Sequence, residues 1–319
     1  MNARATRPTT LLLQRLSRAL KRDLPKAVAG NDGAVHQARV STRRLREAVP
    51  VFATGLKGGK GGKARRKIRR LTKALGTVRE LDVTLSLLDE MARSPHVPRP
   101  AVEDVRARVI AERDARRKVM VERLERVNAG KLDERLRSMG DALQASTVEP
   151  WRKALATRLV ARSRSLSTAM DGAGHMYAPE QLHAVRIAAK KLRYGLELAA
   201  DSGVKEAAAH VHTIKRAQEL LGKLHDLQVL QRHVAAVQSS PPQRRAQSRA
   251  ALEDLARHIE GQCRQLHGRY VALIPALREL ISAVRKTVVP QLARPIRRAS
   301  AVKMGLSRPK DARTLASDR

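Results

Sequence analysis

Val35-His36-Gln37-Ala38-Arg39-Val40-Ser41-Thr42-Arg43-Arg44-Leu45-Arg46 occurs a second time, in the same spacing, as Leu182-His183-Ala184-Val185-Arg186-Ile187-Ala188-Ala189-Lys190-Lys191-Leu192-Arg193. At about 100° per residue, His36, Arg39, Arg43 and Arg46 fall within one helix sector about 80° wide. The adjoining sector holds Val35, Ala38, Leu45, Val49 and Phe52. The stretch is therefore a helix with a cationic stripe beside an apolar one. In the second copy His183, Arg186, Lys190 and Arg193 repeat the cationic stripe, and Leu182, Val185, Leu192 and Leu196 repeat the apolar one. Two copies of one histidine-led basic helix suggest two halves of one anion site.

The rest of the 319-residue chain agrees with a helical reading. Hydrophobic residues make up 42% but aromatic residues only 2%, so the core must be built from Leu, Val, Ile and Ala. Such a composition favours helix bundles over sandwiches and barrels, which draw on β-branched and aromatic side chains. Sixty-five Lys and Arg against 30 Asp and Glu give a formal net charge of +35. An excess that large repels itself in the compact state and is relieved by a polyanion: nucleic acid, an anionic surface or inorganic polyphosphate. The single cysteine, Cys263, excludes an internal disulfide framework and fits a reducing compartment. No apolar run approaches the ~18 residues of a membrane span, and the beginning of the chain lacks a secretory apolar core. The expected location is cytoplasmic.

Leucines at 11, 12, 13, 16, 20 and 24 predict a first amphipathic helix over Thr9 to Ala29. Asp32 is the expected N-cap of the motif helix, which runs to Gly55. Gly55 to Lys63 reads as a flexible basic loop and not as a nucleotide-binding loop, because the glycine-lysine spacing is wrong and a helix precedes it. A third helix is expected from about Ala64 to Arg93, ended by Pro95, Pro98 and Pro100. A Glu-Arg-rich helix or helical pair follows over 101 to 146, with a break near Asn128-Ala129-Gly130. Pro150 and Pro179 open the next two helices, the second of which carries the repeated motif. Further helices are expected over 204 to 237 and onward to about Lys286, separated by Pro241-Pro242. Residues 287 to 319 read as a basic disordered tail.

The duplication extends past the motif. Leu75-Gly76-Thr77-Val78-Arg79-Glu80-Leu81-Asp82-Val83 matches Leu221-Gly222-Lys223-Leu224-His225-Asp226-Leu227-Gln228-Val229 at nearly the offset that relates the motif helices. A repeat this long is a duplicated bundle and not a solenoid unit. The expected fold is all-α: two four-helix bundles, about 9–146 and 150–286, related by an internal pseudo-twofold, with a basic groove between them.

Enzymatic signatures are missing: there is no HExxH, no Cys-His metal spacing, no nucleophile elbow and no dinucleotide fingerprint. Neither a metal nor a cofactor is expected. His210, His212, His225 and His233 form a loose cluster, yet 210 and 212 project to opposite helix faces. The mixture of Arg forks and Lys point charges suits a repeating phosphate chain better than one shaped ligand. His36 and His183 either donate to an anionic oxygen or are satisfied inside the bundle; the spacing alone leaves both open.

The paired stretches at 35–46 and 182–194, with the Leu-Gly segments at 75 and 221, resemble the CHAD family, the conserved histidine alpha-helical domain, over roughly residues 9 to 285. The resemblance implies non-enzymatic binding of inorganic polyphosphate, often at polyphosphate granules. It places phosphate contacts on His36, Arg39, Arg43, Arg44 and Arg46, and on His183, Arg186, Lys190, Lys191 and Arg193. From the second signature helices it adds Arg69, Arg70, Lys73, Lys215 and Arg216. Glu219 stands where Lys73 would repeat, and His225 where Arg79 would. The competing expectation is nonspecific nucleic-acid binding or packaging by charge alone, against which the shortage of aromatic platforms argues.

Overall fold

In the computed structural model, which describes residues 6–56, 60–239 and 246–294, the chain is helical, and no strand occurs among those residues. The first half holds α1 (Pro8–Val28), α2 (Asp32–Phe52), α3 (Lys60–Met91), α4 (Arg99–Glu125) and α5 (Ala129–Ala145). The second holds α6 (Pro150–Ala173), α7 (Pro179–Asp201), α8 (Lys205–Gln238) and α9 (Ala246–Ala283). A π-helical turn at Val284–Val288 then leads into α10 (Val289–Ala293).

Local chemistry sets the boundaries, with some departures from expectation. Asn31, not Asp32, caps α2: the Ala34 N–H donates to Asn31 Oδ1 at 2.8 Å, and Asp32 sits in the first turn, where a carboxylate suits the helix dipole. Asn128 caps α5 in the same way, accepting from the Lys131 N–H at 2.8 Å. The 101–146 stretch is therefore two helices, and the first half has five among the described residues instead of four. Helix also continues past Lys286 to Ala293, because Pro290 falls in a first turn, where its missing N–H costs nothing, and Val288 and Leu292 are buried. The remainder of the expected tail, 295–319, lies outside the described residues, as do Pro241 and Pro242.

Each motif helix is clasped by its chain neighbours. α2 packs on α1 and α3, and α7 on α6 and α8. Val35, Ala38, Leu45, Val49 and Phe52 are fully buried or nearly so, as are Leu182, Val185, Leu192 and Leu196, so the apolar stripes face inward as the periodicity requires. Gly195 lets α7 approach α6 closely, since a methyl group there would lie 2.7 Å from Leu159 Cδ2. Across the halves α2 meets α7, α3 meets α8, and α4 meets α9.

The apolar core does not divide at the bundle boundary expected near 146–150. One cluster joins α1, α2, α5, α6 and α7 with the near ends of α3 and α8. A second joins the far ends of α3 and α8 to the starts of α4 and α9, from Leu81 and Leu88 to Leu230, Leu255 and Cys263. Length explains this: α3 and α8 have 32 and 34 residues against 21 and 23 for α2 and α7, so they overhang the motif helices and there meet each other, with α4 on α3 and α9 on α8.

Polar contacts lock the halves together near the motif. Glu47 on α2, only 8% exposed, accepts a hydrogen bond from Arg162 of α6 and lies 3.8 Å from Arg158. The same Arg162 donates to the Lys191 carbonyl of α7 at 2.7 Å. The chain's one Phe and one Trp meet edge to face across the same seam, with ring centroids of Phe52 and Trp151 5.6 Å apart. On the outer side Arg113 of α4 donates to Asp82 at 2.8 Å and to Asp32 at 2.7 Å, fixing the start of α2 against α3.

Candidate anion-binding groove

The cationic stripes of α2 and α7 face each other. Arg39, Arg43 and Arg46 lie close enough to Arg186, Lys190 and Arg193 that the two sets repel across the seam. Partial burial, then repulsion from Arg43, Arg186, Arg39 and Arg46, lowers Lys190 to about 7, so this ammonium is only partly protonated near neutral pH. Burial followed by the same crowding pushes Arg43 down as well. A guanidinium stays charged regardless, so the crowding at Arg43 is a standing energetic cost.

Short-range packing holds the cations in place. The ring of Tyr194, itself buried, lies 4.8 Å from the Arg43 guanidinium and 4.9 Å from that of Arg193. Each such contact contributes about 0.5–1 kcal/mol. Arg193 also pairs with Glu197 at 3.0 Å. Arg39 lies across Gly76 of α3, where a methyl group would come within 3.0 Å of Arg39 Nη1.

α3 and α8 form the flanks. Arg79 and Glu80 reach the groove from α3, and His225, Asp226 and Arg232 from α8. Burial raises Asp226 despite the opposing pull of Arg186 and Arg79. His183 Nδ1 stands 3.3 Å from His225 Nδ1, with the two rings tilted at 4.8 Å between centroids. Burial, then the positive charge of Arg186, His183, Arg232 and Lys190, pushes His225 down to about 3. Burial also lowers His36, followed by repulsion from Arg79, Arg39 and Arg43. His36 and His183 are both exposed, so neither is a histidine satisfied inside the bundle.

Of the residues expected to contact phosphate, His36, Arg39, Arg43 and Arg46 come together with His183, Arg186, Lys190 and Arg193. Arg44 instead turns to Asp201, 3.9 Å away, in a small cleft with Leu12, Leu16 and Glu197. Lys191 is exposed beside the groove. Arg69, Arg70 and Lys73 are exposed earlier on α3, as are Lys215 and Arg216 on α8, and Lys215 faces Glu219 at 3.7 Å. The flank positions that spacing did not assign are Arg79, Glu80, His225 and Asp226. Their signal was present in the Leu-Gly segments, whose polar residues lie one to three turns beyond the basic cluster chosen from the sequence.

The other histidines disperse. His210 lies 3.4 Å from Thr287, and His233 3.8 Å from Glu112. Among the described residues no three His, Cys, Asp or Glu side chains converge as metal ligands do. Cys263 is buried and its thiol is pushed up, the opposite of an activated nucleophile. No helix among the described residues is long and apolar enough to cross a membrane.

Comparisons agree with the fold. A family model described as the CHAD domain matches residues 11–235. A crystal structure of the CHAD domain from the plant Ricinus communis superimposes with a TM-score of 0.61 at 22% identity, covering 87% of this chain and 91% of that one. PptA from Streptomyces chartreusis superimposes with a TM-score of 0.54 at 14% identity, covering 84% of this chain and 99% of that one. No curated protein matches the chain.

Proposed function

This chain belongs to the CHAD domain family, and from that premise we propose that its groove binds inorganic polyphosphate without catalysis. The observation that carries the reading is the crowding at the seam of α2 and α7, where burial and then repulsion from four arginines of the two motif copies, Arg43, Arg186, Arg39 and Arg46, hold Lys190 at about 7. A fold does not retain such repulsion for packing; a linear polyanion laid along the seam removes it. Charge-assisted hydrogen bonds from Arg forks and Lys then replace the repulsion.

Several features support phosphate over nucleobases and binding over turnover. Tyr194 is covered by Arg43 and Arg193, so it offers no free face for a base to stack on. Asp226, a carboxylate of the groove, has Arg186 and Arg79 as its opposite charges, a setting that orders arginines. We read the two halves as a duplication whose equivalent helices, α2 with α7, α3 with α8 and α4 with α9, meet across a pseudo-twofold. Association with polyphosphate granules follows from the same chemistry.

The test is competition at physiological salt. Long-chain polyphosphate is expected to displace labelled duplex DNA and not the reverse; equal affinity for both polymers would leave only nonspecific charge binding. Release of orthophosphate from polyphosphate by the purified chain with magnesium would overturn the non-catalytic part.

A further inference from the structure

The His183–His225 pair has a geometry that dictates its hydrogen-bonding state. The two Nδ1 atoms face each other at 3.3 Å. In the uncharged pair one Nδ1 carries the proton and donates to the other. Tautomer balance then fixes the outward nitrogens. The donor ring must leave its Nε2 as a bare lone pair, while the acceptor ring carries Nε2–H. An approaching phosphate oxygen meets one donor and one repelling lone pair. A single added proton, placed on the bare Nε2, turns the pair into two outward donors with one positive charge and leaves the inner hydrogen bond intact. A second proton would set two N–H groups against each other and break the pair.

Resting on the polyphosphate reading above, we propose that His183 and His225 form a proton-gated phosphate subsite, which takes up one proton when a phosphate group of the chain docks on it. The surrounding charges determine when this happens. α7 contributes Arg186 and Lys190, α8 contributes Arg232 and Asp226, and Glu80 of α3 faces Arg186 and Asp226. Burial first, and then the excess of cations over carboxylates, holds the free pair uncharged, with His225 near 3. A docked phosphate reverses the sign of the local field and favours the imidazolium. The sign follows: the bound form holds more protons than the free form, so affinity rises as pH falls. The equivalent position in the first half is Arg79, beside His36, where charge is permanent and no gate exists.

The experiment is calorimetric titration of the full chain with long-chain polyphosphate, whose internal groups keep a fixed charge, in two buffers of different ionisation enthalpy. At about pH 6 Lys190 is already mostly protonated in the free protein, so uptake there reports imidazoles. Wild type is expected to take up roughly one proton more per docked pair than His225→Arg, and its affinity to fall by up to about tenfold per pH unit on raising pH. His225→Arg should bind with a flatter pH profile, and His225→Gln, which keeps a polar partner for His183, should bind more weakly with the same loss of uptake. Unchanged proton uptake in both variants, with binding intact, overturns the gate and leaves polyphosphate binding standing. Absence of polyphosphate binding by wild type at either pH overturns the reading on which the gate rests, and the gate with it.

Discussion

The two edges of the groove were built from the same motif but carry different chemistry. On one edge His36 stands beside Arg79; on the other His183 stands against His225. The first pair holds a permanent charge on Arg79, so it attracts an anion whether or not His36 is protonated. The second holds none until a phosphate arrives. A similar divergence follows the motif itself. Glu47 on α2 and Tyr194 on α7 occupy equivalent places, both buried, and each secures arginines: the carboxylate holds Arg158 and Arg162 of α6, and the ring lies against Arg43 of α2 and its own chain neighbour Arg193. The two motif copies share one task, fastening cations, and perform it differently, one with an ion pair and the other with cation–π contacts.

One ligand spanning both edges would draw on both motif copies. The double reversal Arg43→Glu with Lys190→Glu removes one cation from each motif copy at the middle of the seam. Each charged hydrogen bond is worth about 1.5–3 kcal/mol, so polyphosphate affinity should drop by at least about 100-fold. Single reversals should each cost less than half of that logarithmic loss if the chain spans both helices. Binding measured by fluorescence anisotropy that responds to only one of the two reversals would mean that the copies act separately.

Next in size is the seam. Glu47→Ala strips Arg162 and Arg158 of their carboxylate inside the protein, and breaking one side of a buried pair costs on the order of 3 kcal/mol. Tyr194→Leu keeps the apolar volume and loses only the cation–π contacts, about 1–2 kcal/mol in all. Urea unfolding should therefore rank Glu47→Ala well below Tyr194→Leu in stability. The reverse ranking would make the aromatic side, not the carboxylate, the principal fastening between the halves.

The gate can be transplanted. Arg79→His would place a second histidine beside His36 and convert the permanent edge into a titrating one. At about pH 8 the loss of one fixed charge should weaken polyphosphate binding by about tenfold. On lowering the pH the affinity should recover, and the pH slope should steepen relative to wild type, because two sites now take up protons on docking. A slope equal to that of wild type would show that the His-His contact, and not mere titratability, makes the gate.

Much of this was legible in the residues. The 3.6-residue periodicity of Val35 to Phe52 gave the helix, its buried face and its cationic face, and the second copy gave its partner. The Asn128 break was visible as an Asn-Ala-Gly interruption. Harder to read was Pro290, which marks a helix end in most contexts and here opens a turn of α10, because only tertiary burial of Val288 and Leu292 tells the two apart. In the site, periodicity assigns a residue to a face but not to a depth along a long helix. Arg69, Arg70 and Lys73 share the helix of Arg79, yet it is the position at which α3 passes α2, marked by Arg39 lying over Gly76, that decides which of them reaches the groove. His225 stood out in the sequence as a departure from arginine; that it touches His183 depends on how α7 crosses α8.

The smallest effect falls at a position where the stripes resemble each other most. Arg44 and Lys191 are equivalent in the motif and both were expected to hold phosphate. Arg44, however, lies 3.9 Å from Asp201, and the same carboxylate accepts from Arg15 at 3.0 Å, so its charge is partly spent inside the protein. Lys191 is exposed, and only its backbone carbonyl is committed, to Arg162. Partly exposed pairs of the Arg44–Asp201 kind contribute at most about 1 kcal/mol, so Arg44→Ala should leave stability nearly unchanged and alter polyphosphate affinity by less than about threefold. Lys191→Ala should cost somewhat more affinity and no stability, and should flatten the salt dependence of binding, because one fewer counterion is released. If Arg44→Ala proves the costlier of the two for binding, Arg44 must leave Asp201 when polyphosphate arrives, and the ion pair in the free protein is then a resting position from which the ligand withdraws it.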